Sequence, residues 1–242
     1  MSKISLEVLE KLRLYDSPTI SNIIELFDAR PRTAGFMDGR IQASFPELPP
    51  MVGFASTVTC RTALEPQGAD AYTSLPDQVA RFAELDGPPV VVFQDLDDPP
   101  VAATFGEIMC TTYQRFGAVG LITNGGGRDF EQVHALNFPV FTDGALVSHG
   151  YIKMHEVHAP VRVGGLAVYP GDLLHGDLNG VVKIPLNIAS EVADIAAEFV
   201  AAERVILDTL ANPTITVAEL RAATGEADTI VEALRQQVTG KR

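Results

Sequence analysis

The stretch that decides this chain reads Gly106-Glu107-Ile108-Met109 at one end and Asn124-Gly125-Gly126-Gly127-Arg128-Asp129 at the other. Twenty residues separate Glu107 from Arg128. That spacing fits a helix of about three turns running into a buried strand. The start of the helix and the end of the strand then lie side by side at one edge of a sheet. The free N–H groups of the first helical turn, those of Ile108 and Met109 among them, form an anion seat. Gly106 lets a ligand come close to it. Three consecutive glycines permit positive φ and keep side chains out of the way. Arg128 offers a planar, permanently charged fork to a carboxylate or an enolate oxygen. Asp129 is a hard oxygen ligand of the kind Mg2+ takes, and Glu107 is placed to hold one of the ion's waters.

Each of these residues also has a plain structural reading. An adjacent Arg-Asp pair is commonly surface charge, a glycine run can be only a tight connection, and Glu107 can simply complement the helix dipole. The conjunction of glycines, arginine and acid directly after an apolar strand favours the functional reading.

Outward from this unit the chain alternates helices and strands, which predicts an α/β domain. Apolar spacing predicts a helix over 5–15, and Ser17-Pro18 predicts the cap and first position of another over 17–27. A Pro- and Gly-rich loop over 30–50 reads as a partner-contacting arm or an ordered surface excursion. Strands are expected at 54–61, 89–93, 118–122, 139–141, 161–168 and 180–184. Helices are expected at 77–85, 105–116, 129–136 and 189–210, with one or two short peripheral helices over 215–238. Asp95, Asp97 and Asp98 offer a metal ligand but read rather as a solvated, Pro-terminated loop, and 144–160 reads as a looser segment whose His149, His155 and His158 could be gathered at a metal but more often do ordinary polar work. His175 and Asp177 read as structural.

With 242 residues and 46% hydrophobic content the chain can bury a sizeable core. A formal charge of −13 excludes a basic stripe for nucleic acid. Cys60 and Cys110 lack metal-ligand spacing and read as buried thiols. No stretch approaches the ~20 apolar residues of a membrane span, and the first residues carry no signal-like apolar region. These features predict a soluble, cytoplasmic protein without membrane or nucleic-acid partners.

Glu107, twenty residues, then Arg128-Asp129 resembles the acid-X20-Arg-Asp signature of the class II pyruvate aldolases related to 4-hydroxy-4-methyl-2-oxoglutarate aldolase. These form a group within the RraA-like family, many members of which were once labelled dimethylmenaquinone methyltransferase-like. The match continues through Asn137-Phe138-Pro139-Val140-Phe141 and Val163-Gly164-Gly165-Leu166-Ala167-Val168-Tyr169-Pro170-Gly171-Asp172 to Asp177-Leu178-Asn179-Gly180-Val181-Val182. It covers roughly residues 15–210 and is strongest in the central half.

The resemblance implies one RraA-like domain over 1–242, an α-β-β-α layered sandwich of the swivelling β/β/α type. Residues 1–28 would add N-terminal helices and 189–242 a C-terminal helical extension. It implies a homotrimer or a homohexamer with the site between subunits. The implied activity is metal-dependent cleavage of a 4-hydroxy-2-oxo acid to pyruvate and a carbonyl compound through an enolate. Oxaloacetate decarboxylation follows as a side activity, since it gives the same enolate. Gly106, Glu107, Ile108, Met109 and Arg128 would bind the substrate. Asp129 would ligate Mg2+ or Mn2+ directly and Glu107 through water, with Glu203, or Glu198 close behind, reaching over from a neighbouring subunit. Two positions depart from the pattern: Glu107 stands where the characterised aldolases have aspartate, and Gln132 where many members carry an acid. A Schiff-base route is weak, because Lys183 has no activating cation beside it in sequence. The alternatives are another oxo-acid lyase or decarboxylase using the same site, and a non-catalytic regulator that binds a ribonuclease.

Overall fold

The computed structural model describes residues 3–65, 67 and 71–240. In chain order its elements open with helices α1 (Leu6–Leu12) and α2 (Ser17–Glu25), then strands β1 (Gln42–Ala43) and β2 (Met51–Arg61). Helix α3 (Ala71–Ala80), β3 (Pro89–Asp95), β4 (Ala103–Phe105), α4 (Glu107–Arg115), β5 (Gly120–Thr123), β6 (Gly126–Gly127), α5 (Phe130–Ala135) and β7 (Val140–Thr142) follow. The chain continues through β8 (Lys153–Val157), β9 (Val161–Val163), β10 (Leu166–Val168), β11 (Leu173–Asp177) and β12 (Gly180–Ile184) to α6 (Ala189–Leu210) and α7 (Val217–Thr239).

The eleven residues of β2 anchor the sheet, and all but Arg61 are buried. β3 pairs with it in parallel, while β11 and β8 pair antiparallel with its first and second halves. The main sheet has eight strands, ordered β1-β7-β5-β3-β2-β11-β12 with β8 added on β2. Alternation along β2 separates two faces. Val52 and Phe54 pack under α1, α2, α6 and α7, and further along the same face Val58 and Cys60 pack under α3 and α4. Met51 and Ala55 turn the other way, with Val90, Val92 and Ile122, against the β9–β10 hairpin and Met37 and Ile41. The result is a mixed α/β domain with a nearly closed sheet and helices at both ends.

The loop expected as a partner-contacting arm or an ordered surface excursion is what nearly closes that sheet. Phe36 bridges to Val182 on β12 at one edge, and Gln42 and Ala43 pair with β7 at the other. Between them Met37 and Ile41 are 7% and 3% exposed, so burial of two apolar side chains holds the segment across the gap.

Several sequence expectations are corrected. Asp16, rather than Ser17, caps α2, with its carboxylate accepting from Thr19 N at 2.8 Å. Ser17 lies inside the helix because its hydroxyl is needed at His175 Nδ1, 2.9 Å away. The helix expected at 77–85 begins at Ala71 and tightens into a 3-10 turn at Arg81–Glu84. The strand expected at 161–168 folds back on itself at Gly164 and Gly165, whose φ values of 52° and 76° favour glycine. The segment over 144–160 is not uniformly loose, since it contains β8. The C-terminal residues form one long helix rather than short peripheral ones. Thr216 and Glu219 make a capping box at its start, and Ala223, Ala227, Leu234 and Val238 are buried.

Lys183 is structural, held 2.9 Å from Asp172 Oδ2 and from Ala167 O. His175 and Asp177 are structural too, buried on β11 and bonded to Ser17. Among the described residues no helix is long and apolar enough to cross a membrane.

Candidate active site

β4 and β6 pair in parallel as a two-stranded sheet of their own, which puts the start of α4 beside the end of the glycine loop. Arg128 N donates to Phe105 O at 3.1 Å. Asp129 then takes a left-handed conformation, φ 57° and ψ 40°, which a short polar side chain tolerates better than most. Its carboxylate ignores the helix it precedes and turns back to α4. There Oδ2 accepts the Glu107 N–H at 3.1 Å, and Arg128 Nε lies 3.7 Å from the same oxygen. The side chains of Arg128 and Asp129 are 28% and 39% exposed, so the pair is ordered but open.

Gly106 is required by this approach. A Cβ there would fall 2.5 Å from Asp129 Oδ2 and 3.2 Å from Arg128 Nε. The N-cap glycine has no side chain to offer α4, Asp129 takes only the Glu107 N–H, and among the described residues the Ile108 and Met109 N–H groups have no partner. Glu107 extends into solvent on the first turn, Ile108 is 64% exposed, and Met109 is buried beneath them. The sequence-derived group of Gly106, Glu107, Ile108, Met109, Arg128 and Asp129 is therefore brought together.

The three glycines serve a different purpose from the one expected. None of Gly125, Gly126 and Gly127 has positive φ. They are bare because neighbours crowd them: a Cβ would meet Thr104 Oγ1 at 2.1 Å, Leu146 Cδ1 at 2.7 Å and Phe105 Cζ at 2.2 Å respectively. A buried polar frame that sequence reading missed holds this loop. Thr123 Oγ1 accepts from Gly125 N at 2.9 Å and Thr142 Oγ1 donates to Gly125 O. Asn124 clamps the end of β3, accepting from Asp95 N at 2.8 Å and donating to Asp95 O at 2.9 Å.

Asp95 itself is 2% exposed, which corrects its reading as part of a solvated loop. Burial, reinforced by the neighbouring Asp97 carboxylate, pushes its carboxyl up to about 6. Asp97 is held below the usual carboxylate range by hydrogen bonds from Thr62 N, Ala63 N and Arg61. The available signal was position: Asp95 ends the apolar strand and Asn124 opens the glycine run.

Other candidates lie apart. Glu203 is on α6, which packs on α1, α2 and α7; burial and the Asp16 carboxylate raise its carboxyl. Glu198 is exposed on the same helix. His149 and His155 are exposed, while His158 is packed between Ser56 and Glu84, so the three do not meet. Among the described residues no three His, Cys, Asp or Glu side chains converge as a metal cluster. Cys60 and Cys110 are buried, and burial raises both thiols.

The RraA-like family model, described as Aldolase/RraA, matches residues 19–183. The chain belongs to the RraA-like family. A relative from Halalkalibacterium halodurans, named "Putative 4-hydroxy-4-methyl-2-oxoglutarate aldolase", is 29% identical over 123 residues, 49% of this chain and 59% of its own length. Protein DlpA of Legionella pneumophila is 29% identical over 92 residues, 37% of this chain and 15% of its own. The chain thus spans less than two thirds of these curated relatives. An uncharacterized protein from Pseudomonas syringae pv. tomato shares the fold at TM-score 0.70 and 23% identity, over 91% of this chain and 95% of its own. RraAS2 of Streptomyces coelicolor, described as an unusual member of the RNase ES inhibitor RraA protein family, does so at TM-score 0.66 and 20% identity, over 84% and 97%.

Proposed function

We propose that this RraA-like chain is a divalent-metal-dependent lyase. Its substrate would be a 4-hydroxy-2-oxo acid, cleaved to pyruvate and a carbonyl compound, with oxaloacetate decarboxylation as a side activity. The observation that carries this reading is the Asp129 carboxylate fixed on the Glu107 N–H, beside Arg128, at a helix N-terminus whose Ile108 and Met109 N–H groups are left open. The name of the Halalkalibacterium relative supports the same reaction class.

The donor set suits the ion. Mg2+ takes oxygen ligands, needs only one or two protein carboxylates and keeps several waters, so a lone, open, pre-oriented aspartate with a glutamate near it fits. Mn2+ accepts the same donors. Asp129 would hold the metal directly and Glu107 through water. In a trimer or hexamer, Glu203 of α6 would approach from a neighbouring subunit. When bound, the ion supplies Lewis acidity toward negative charge that develops on the substrate.

The chain's own groups do the rest. The Ile108 and Met109 N–H groups seat the pyruvyl carboxylate, and the positive end of α4 favours it. Arg128 faces the 2-oxo oxygen, where charge grows as the C3–C4 bond breaks and its electron pair forms the enolate. Glu107 orients the water that accepts the 4-hydroxyl proton, and a proton returned to C3 completes pyruvate.

The test is pyruvate release from 4-hydroxy-4-methyl-2-oxoglutarate and from oxaloacetate, with Mg2+ and with EDTA, for wild type and Asp129→Ala. Turnover that needs both the metal and Asp129 supports the lyase. A protein that binds Mg2+ and pyruvate but turns over neither compound has another oxo-acid as its substrate. A protein that binds no metal is not this lyase, and a protein-binding role then takes first place.

A further inference from the structure

Half-buried arginines in this acidic chain have no shortage of carboxylates to meet, yet among the described residues one meets none. Among the described residues, five arginines are neither buried nor fully exposed. Four meet a carboxylate: Arg13 with Glu10, Arg81 with Glu84, Arg128 with Asp129 and Arg235 with Asp28. Arg30 meets none. Its only hydrogen bond runs from Nη1 to the backbone oxygen of Lys183. Burial without a compensating acid pulls its guanidinium below the usual arginine range. The fork is nevertheless held in place, face-on against Gly35, where a Cβ would lie 2.0 Å from Arg30 Cζ.

This guanidinium opens onto a cavity of about 530 Å3 walled by Leu166, Ile184, Pro185 and Leu186. Lys183 and Asp172 also line it, but they neutralise each other at 2.9 Å, and Asp172 additionally accepts from Tyr169 N at 2.8 Å. The cavity therefore carries one uncompensated positive charge above apolar walls. A desolvated, immobilised guanidinium with spare donors gains most from a planar anion that it can hold with two parallel bonds.

We propose that this cavity binds a small organic monocarboxylate. Arg30 takes the carboxylate, and the apolar body lies on Leu166, Pro185 and Leu186. The site shares no residue with the Arg128–Asp129 pair, so it is a second ligand site and stands independently of the lyase reading.

Hexanoate is a suitable probe, with hexanol and inorganic phosphate as controls, titrated calorimetrically into wild type, Arg30→Met, Arg32→Met and Arg128→Met. The expected result is saturable one-to-one binding of hexanoate that neither control reproduces. Arg30→Met weakens it by about tenfold or more, as loss of a charged hydrogen-bonded contact should. Arg32→Met and Arg128→Met leave it unchanged. Equal binding of hexanol, binding of phosphate in its place, or unchanged affinity in Arg30→Met overturns the proposal. Should Arg30→Met fail to fold, Asn187→Glu puts a competing carboxylate at the exposed rim and is expected to weaken hexanoate by a similar factor; no change overturns the site. If hexanoate does not bind and Arg30→Met instead dissociates an oligomer in sedimentation, the missing carboxylate belongs to a second copy, and the small-molecule site is likewise overturned.

Discussion

Two aspartates in this fold do the same thing to different ends. Asp177 Oδ2 accepts the N–H of Ser17, the first residue of α2, at 2.9 Å. Asp129 Oδ2 accepts the N–H of Glu107, the first residue of α4, at 3.1 Å. Each ties a helix N-terminus to a loop or strand end with a charge-assisted bond. The difference lies in what remains. Asp177 is 6% exposed and its oxygens also take Asn179 N and Nδ2, while Ser17 Oγ is bonded to buried His175. Asp129 is 39% exposed at the side chain, with one oxygen and two neighbouring N–H groups uncommitted. A saturated tie is a fastening; the same tie left half-open keeps an acceptor and two donors unspent.

The sharpest break in this comparison is Asp129→Ala. On the lyase reading, turnover should fall by about a thousandfold or more, since the carboxylate that would hold the metal is removed. Its melting temperature should barely move, because the freed Glu107 N–H can reach water. Calorimetry beside the pyruvate assay checks both. Gly106→Ala comes next. The new methyl group must displace Asp129 or Arg128, and a shift near 1 Å should lower turnover about a hundredfold while the circular dichroism spectrum is retained.

Asp177→Ala inverts the pattern. Leaving the Ser17 N–H buried and unsatisfied should cost about 2 kcal/mol, seen as a lower midpoint in urea, with turnover per folded molecule intact. The smallest effect concerns Asp95. Its carboxyl titrates near 6 when folded and near ~3.9 when unfolded, so the folded state holds the extra proton between those values. Its contribution to stability therefore falls as pH rises from about 4 to 6 and stays low above. Asp95→Asn should flatten that slope and raise stability at pH 7 by about 1 kcal/mol, measured by urea unfolding across pH. Buried His175, held below the usual histidine range, gives the opposite trend, losing stability as pH drops below about 6.5.

The Asp129 site was legible in the sequence because one helix–strand unit carries it. Glu107, Arg128 and Asp129 needed only a helix length and a strand length to be set side by side. The Asp177 fastening was not legible, as Ser17 lies 160 residues away and nothing local marks the pair. Asp95 and Asn124 failed for a related reason: a strand-end acid followed by Asp97, Asp98 and prolines looks solvated until the neighbouring strand end covers it. The glycines were located correctly but explained wrongly, because crowding from Thr104, Phe105 and Leu146 is a tertiary fact. Helix α7 was expected as one or two short peripheral helices over 215–238, yet Gly225 sits in open space and the buried Ala223 and Ala227 carry the packing through it.

The separate sheet of β4 and β6 has a consequence for how this molecule can change. Gly127 is bonded on both sides, donating to Gly144 O and accepting from Leu146 N, while Arg128 N reaches Phe105 O. The edge that carries Arg128 and Asp129 is thus tied within its own small sheet as well as, through Thr123, Thr142 and Asn124, to the eight-stranded sheet. A substitution that retwists the larger sheet would reach Asp129 through the Gly125 bonds, while the β4–β6 pair holds Asp129 against α4 directly.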